Sequence, residues 1–226
     1  MIAVNIKPFI QEYPINKQSG RTCRKEILQR IPAMASFTSY IIDTAPEASR
    51  NRLAEVQKSW GFVPKLHGNL AESALALEAY DTLFGMVASK ATLTPVEVQV
   101  AYQAINVFHE CEYCTAGHTY LSRMVKMDET TITALRDGKP VADARLQALR
   151  LFAEAVVRDR GRVSDRAVDA FLEAGFTRAN VLEVVTIAAT KTISNYTNHI
   201  TKTEKEAFMT DPALAWVSPT NRTRAA

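Results

Sequence analysis

The chain has little that breaks a helix and little that staples a small fold. Glycine and proline number 8 and 9 among 226 residues, which excludes a collagen-like or linker-rich chain. Three cysteines do not make a disulfide framework, and a chain this long buries a core without one. No apolar run approaches the ~18 residues that a membrane helix needs. The N-terminus also lacks the uninterrupted apolar stretch of a secretory signal. A soluble, cytoplasmic protein without a membrane partner is the expectation. Charge of one sign is scarce too. Residues 1–33 hold six basic side chains and two acidic ones, a net +4, so the remainder of a +3 chain carries −1. A nearly neutral body gives no footing for a nucleic-acid partner.

What is present favours helices: Ala, Leu, Glu, Lys and Arg are common, and no stretch alternates as a strand would. Residues 1–33 show no sustained periodicity. They read as a flexible basic segment, with a single all-helical domain over 34–226. Within that domain Pro46 opens a helix through about Gln57, and Trp60 to Pro64 breaks it. Asn69 is placed to cap a helix through about Ala88. Thr94-Pro95-Val96-Glu97 has a capping residue, a proline at the first helical position and the acid of a capping box. That helix runs toward His109. After a bend, a second carries Cys111 to Val125. Asp128, Asp143, Ser164 and Thr177 open four more, the last holding the apolar segment Val181 to Ile193. The tail after Pro212 reads as irregular. An offset of 83 residues aligns Thr94 with Thr177 and Tyr113 with Tyr196, a hint of an internal repeat in which only the first copy has thiols.

Chemistry concentrates at Cys111-Glu112-Tyr113-Cys114 and His118. Positions i, i+3 and i+7 share one helix face, so two thiols and an imidazole converge. A helix N-terminus and a nearby cation lower a thiol's pKa. A thiolate attacks a peroxide bond to give a sulfenic acid, and a neighbouring thiol condenses with it. An external dithiol then restores the pair. Histidine titrates in the range needed to carry the protons. Two rival readings use the same residues. A structural zinc site needs four ligands, and His67, His109, His199 and Cys23 are the remaining donors. The other rival is a pair of buried structural cysteines beside a hydrogen-bonded histidine.

Pro95 to Gln99 upstream, with Cys111 to His118 downstream, resembles the carboxymuconolactone decarboxylase family, in its alkyl hydroperoxidase D-like, peroxidase-related branch. The likeness runs from about Ile42 to Trp216 and includes Gly61-Phe62-Val63-Pro64 and Asn195 to His199. It implies an all-helical fold with a duplicated helical unit, assembled as a trimer or a multiple of one. It also implies a thiol peroxidase that takes a small hydroperoxide and a dithiol or thioredoxin-like reductant, with no flavin, haem or metal. By this resemblance Cys114 attacks peroxide, Cys111 resolves and His118 belongs to a proton relay. The relay's glutamate falls at Gln99, whose amide orients a proton but cannot take one. Glu97, roughly 200° around the helix, reads as a capping partner. Glu110, Glu112 and His109 read as surface groups, and Asn195, Tyr196, Asn198 and His199 as a helix end or subunit contact. The family name covers a second activity, lactone decarboxylation, and a non-enzymatic redox sensor is a third reading.

Overall fold

Helix starts in this chain are set by side chains that accept from the exposed first-turn amides. Ser73, Thr94, Asp128, Asp143, Ser164 and Thr177 each accept a backbone N–H of the turn that follows. The computed structural model describes residues 37–225, so the expectation for residues 1–33, and Cys23 with it, lies outside the described residues. In order the helices are α1 (Glu47–Trp60), α2 (Lys65–Leu70), α3 (Ala74–Lys90), α4 (Pro95–Phe108) and α5 (Glu112–Met124). They continue as α6 (Glu129–Arg136), α7 (Ala144–Arg158), α8 (Asp165–Glu173), α9 (Arg178–Thr201) and α10 (Pro219–Ala225). Among the described residues there is no strand. The fold class is all-α, as the composition implies.

Three sequence expectations are corrected. Asn69 does not cap a helix: it lies inside α2 and donates to the Thr201 and Thr203 hydroxyls. Ser73 caps α3 instead, accepting from Ala76 N–H. The break at Trp60–Pro64 ends in an added helix, α2, which Pro64 precedes. The tail is not wholly irregular either. Ser218 N–H donates to Glu112, and α10 follows.

Two apolar cores form. One joins α4, α6, α7, α8 and α9 through residues such as Tyr102, Ile105, Leu149, Phe171 and Ile187. Its densest feature is an aromatic stack in which Phe171 lies 4.3 Å from both Phe152 and Phe176. The other gathers Leu53, Leu66, Leu77, Tyr80, Cys111, Cys114 and Met209 from α1, α2, α3, α5 and the segment after α9. Glu97 closes the capping box with Thr94 and pairs with Arg145 at 2.9 Å, which settles its structural role. Among the described residues no helix is long and apolar enough to cross a membrane.

Candidate active site

The cysteine pair owes its place to the way α4 ends. Glu110 adopts φ 54°, a left-handed conformation that costs a non-glycine residue about 1 kcal/mol. Glu110 N–H reaches Val107 O, and Cys111 N–H reaches Asn106 O at 2.9 Å. This is the paired closure of a Schellman helix end. The chain then restarts at once: Cys111 caps α5 and Cys114 sits in its first turn. Both thiols are free and buried.

Helix α9 supplies the other wall. The Asn198 amide donates to Cys114 Sγ at 3.2 Å and is 3.7 Å from Cys111 Sγ. The Ser194 hydroxyl lies 3.8 Å from Cys114 Sγ. Asn195 donates to Asn106, Asn106 to Gln103, and Gln103 to Thr115 O and the Thr119 hydroxyl. This buried amide chain ties α9 to α4 and α5, so the thiols and their donors hold one geometry.

His118 is buried, with both ring nitrogens engaged. Nδ1 is 2.8 Å from Gln99 Oε1, and Nε2 is 3.1 Å from Lys191 Nζ. An amide oxygen only accepts and an ammonium only donates. The imidazole therefore carries its hydrogen on Nδ1, donates to Gln99 and accepts from Lys191. Burial and the Lys191 charge hold its pKa well below the ordinary value, so it is neutral. With an ammonium on Nε2 and an amide oxygen on Nδ1, the ring has no lone pair for zinc. Among the described residues no group of three or more Cys, His, Asp or Glu is arranged to hold a metal ion.

The two thiols are pushed apart electrostatically. Burial alone raises the Cys114 pKa. The Cys111 hydrogen bond, the Lys191 ammonium and the Ser194 hydroxyl outweigh it and bring Cys114 well below its ordinary value. Cys111 moves the opposite way, because its proton is held in the hydrogen bond to Cys114 and because it is buried. The surroundings thus favour the thiolate at Cys114 over one at Cys111.

Cys114, His118 and Lys191 line a cavity of about 660 Å³, walled by Trp60, Tyr80, Phe84, Tyr113, Tyr120 and Phe208 among others. Cys111 is not among its lining residues. Tyr113 donates to Glu206 Oε1 at 2.9 Å, and Glu206 is the one carboxylate of the lining.

The structure thus brings Cys111, Cys114, His118 and Gln99 together, with Gln99 reaching His118. Glu110 and Glu112 serve the C-terminal segment: they accept from Thr220 N–H and from Ser218 N–H, Asn221 and Lys205. His109 contacts Tyr196 edge to face, 5.3 Å away, and stays out of the cavity lining. Asn198 lies in the last turn of α9, where its carbonyl accepts the N–H groups of Lys202 and Thr203, and its side-chain amide adds a contact to the thiols that the sequence reading lacked. Lys191 is the residue that sequence reasoning missed. Its signal was a lone cation inside the apolar run Val181 to Ile193, four and seven residues before Asn195 and Asn198.

An all-helical core thus carries a buried CxxC at the head of one helix and the donors to its sulfurs on another. The model of the Carboxymuconolactone decarboxylase family matches residues 74–155, which hold Gln99, both thiols and His118. The segment that carries the candidate site is therefore similar to that family. The fold of the chain resembles that of an uncharacterized peroxidase-related protein with an AhpD core from Ralstonia eutropha JMP134. That likeness has a TM-score of 0.67 and 21% identity, and covers 78% of this chain and 96% of the other. A peroxidase-related protein from Silicibacter sp. TM1040 is similar at TM-score 0.64 and 17% identity, over 78% and 95% of the two chains. The debrominase Bmp8 matches at TM-score 0.64 and 14% identity, over 76% and 92%. A variant of it has been solved in complex with 2,3,4-tribromopyrrole. No curated protein matches the chain.

Proposed function

We propose that the protein is a thiol-dependent peroxidase that reduces an organic hydroperoxide through a Cys114–Cys111 dithiol/disulfide cycle. One observation carries the reading: Cys114, with the Asn198 amide donating to its sulfur and Cys111 one turn away, faces an apolar cavity large enough for an organic molecule. Cys114 sulfur attacks the distal peroxide oxygen; the S–O bond forms, the O–O bond breaks and the alkoxide leaves. Cys111 then displaces water from the sulfenic acid. An external dithiol of thioredoxin-like chemistry returns two electrons. No cofactor is needed beyond the cysteine pair. Self-association belongs to the same proposal. It is supported by the exposed apolar side chains Leu182, Val185, Tyr196 and Ile200, at helical spacing along the outer face of α9.

The test is hydroperoxide consumption with excess dithiol. Cys114→Ser and Cys111→Ser each bring multiple turnover to background, and His118→Ala slows it. Undiminished turnover in Cys114→Ser protein overturns the proposal.

The aromatic walls around the thiolate favour one second reading, reductive dehalogenation of an aromatic substrate. Fold likeness to a debrominase supports it. Thiolate sulfur would take the halogen, the ring carbon would take a proton, and Cys111 would expel halide as the disulfide closes. Halide release from a bromopyrrole under dithiol, without hydroperoxide consumption, selects this reading. Lactone decarboxylation is less well served. A carboxylated lactone calls for paired cations, and Lys191 is the one cationic side chain in the lining.

A further inference from the structure

Lys191 is 1% exposed, and among the described residues no Asp or Glu oxygen lies within ion-pair distance of it. A buried ammonium without an anion is strongly disfavoured. Its observed partners are His118 Nε2 at 3.1 Å and the Tyr102 ring, whose centroid lies 5.4 Å away. Neither is charged. Two acidic groups share the lysine's cavity: Glu206, which accepts from the Tyr113 hydroxyl and Lys65 N–H, and Cys114, which Lys191 draws toward its thiolate.

We propose that Lys191 is the counter-ion of the Cys114 thiolate and the source of the proton that the departing oxygen takes, with His118 as the carrier between them. This rests on the peroxidase reading of the site. Lys191 acts through its charge and through His118, so it is a positioning residue.

The charge balance gives the physical reason. Before reaction the cavity floor holds one thiolate and one ammonium, a net charge of zero. Cys114 sulfur attacks the distal oxygen, the O–O bond breaks, sulfur is oxidised by two electrons and an alkoxide is left. Lys191 Nζ passes a proton to His118 Nε2, and the ring passes it to the alkoxide. Sulfenic acid and neutral amine remain, again with no net charge. Cys111 then closes the disulfide, its own proton leaving with the hydroxyl as water. When an external dithiol reduces the disulfide, one of its protons returns to Cys111 and the other to Lys191. Gln99 suits this role because it holds Nδ1–H with an uncharged oxygen, so the ring is free to accept at Nε2. A carboxylate there would compete for the same proton.

Burial raises Tyr80 on α3, Tyr102 on α4 and Tyr113 on α5 and lowers His67 on α2, so these groups around the pair are uncharged near neutrality. His109, outside the cavity lining, is lowered as well. Burial and the Cys114 contact hold Cys111 toward the thiol. Glu206, the carboxylate of the lining, accepts from the Tyr113 hydroxyl and Lys65 N–H. No other cation in the cavity lining duplicates Lys191.

The experiment measures the pH dependence of Cys114 alkylation by iodoacetamide in the reduced full-length protein, with the modified cysteine located by peptide mapping. Lys191→Met raises the midpoint by at least about one pH unit, a tenfold loss of thiolate at a given pH below it. Lys191→Arg keeps the low midpoint, yet slows hydroperoxide turnover at least tenfold, because a guanidinium does not give up a proton. A wild-type midpoint in Lys191→Met overturns the proposal, and so does full turnover in Lys191→Arg. If Lys191→Met does not fold, Lys191→Gln carries the same comparison, and a wild-type midpoint in it overturns the proposal. The alkylation arm does not depend on peroxide chemistry. Failure of the wild-type protein to consume any hydroperoxide would sink the peroxidase reading while leaving the ion pair testable.

Discussion

The two cores of this molecule differ in what they bury. The core around Phe152, Phe171 and Phe176 is apolar almost throughout, stacked ring on ring and roofed by the Arg145 guanidinium 3.8 Å above Phe176. The core around Cys111 and Cys114 is laced with groups that resist burial: two thiols, His67, His118, Asn198 and Lys191. The first is built for stability, since apolar packing has no polar penalty to offset. The second gives up stability to hold polar and ionisable groups out of water. Helix α9 reaches both, with Ile187 in the first and Ile193 against the second, so it ties the reactive core to the rigid one.

The largest expected effect lies in the first core. Phe171→Ala removes a fully buried ring from the middle of the stack and costs about 3–5 kcal/mol. Urea denaturation measures it, and the folded fraction should retain wild-type turnover per site. A loss of site activity in folded Phe171→Ala protein would erase the distinction between the cores.

The next concerns acid. Burial pushes His67 down to about 4 from an ordinary 6.5. The unfolded chain therefore binds a proton that the folded protein refuses. The neutral His67 keeps its full contribution above pH ~6.5, and stability falls as pH drops from there toward ~4, by about 3 kcal/mol at most. His67→Gln removes this slope in denaturation curves taken across that window. An unchanged slope would mean that His67 meets Asp81, 3.9 Å away, as an ion pair. The smallest effect on stability, and one mainly on function, is Asn198→Ala. It removes the amide that donates to Cys114 at 3.2 Å. A hydrogen bond to a charged group is worth about 1.5–3 kcal/mol, so turnover falls roughly 10- to 100-fold, read from steady-state hydroperoxide kinetics.

The aligned segments opened by Thr94 and Thr177 sharpen the same contrast. Both have capping boxes. The first breaks after fourteen residues and restarts at Cys111; the second runs unbroken for twenty-four. The break creates the helix start that favours a thiolate, whereas the continuous helix projects Lys191, Ser194 and Asn198 onto it. The tyrosines of the two segments also part company: Tyr113 lines the cavity, while Tyr196 is half exposed and packs on His109.

By itself the sequence determined what depends on near neighbours. Helix caps act over three residues, so Thr94, Asp128, Asp143, Ser164 and Thr177 were legible. Cys111, Cys114 and His118 were legible as one face because i, i+3 and i+7 spacing is a property of a single helix. Asn69 misled because a good capping residue followed by apolar spacing says nothing of a short helix inserted before it. Only the tertiary structure decided where the charge of the site resides. The contacts of His118 with Lys191 and of Asn198 with Cys114 span 73 and 84 residues. No local pattern encodes which face of α9 meets α5. That packing brought a lone lysine of an apolar helix onto His118, in the cavity that Cys114 lines.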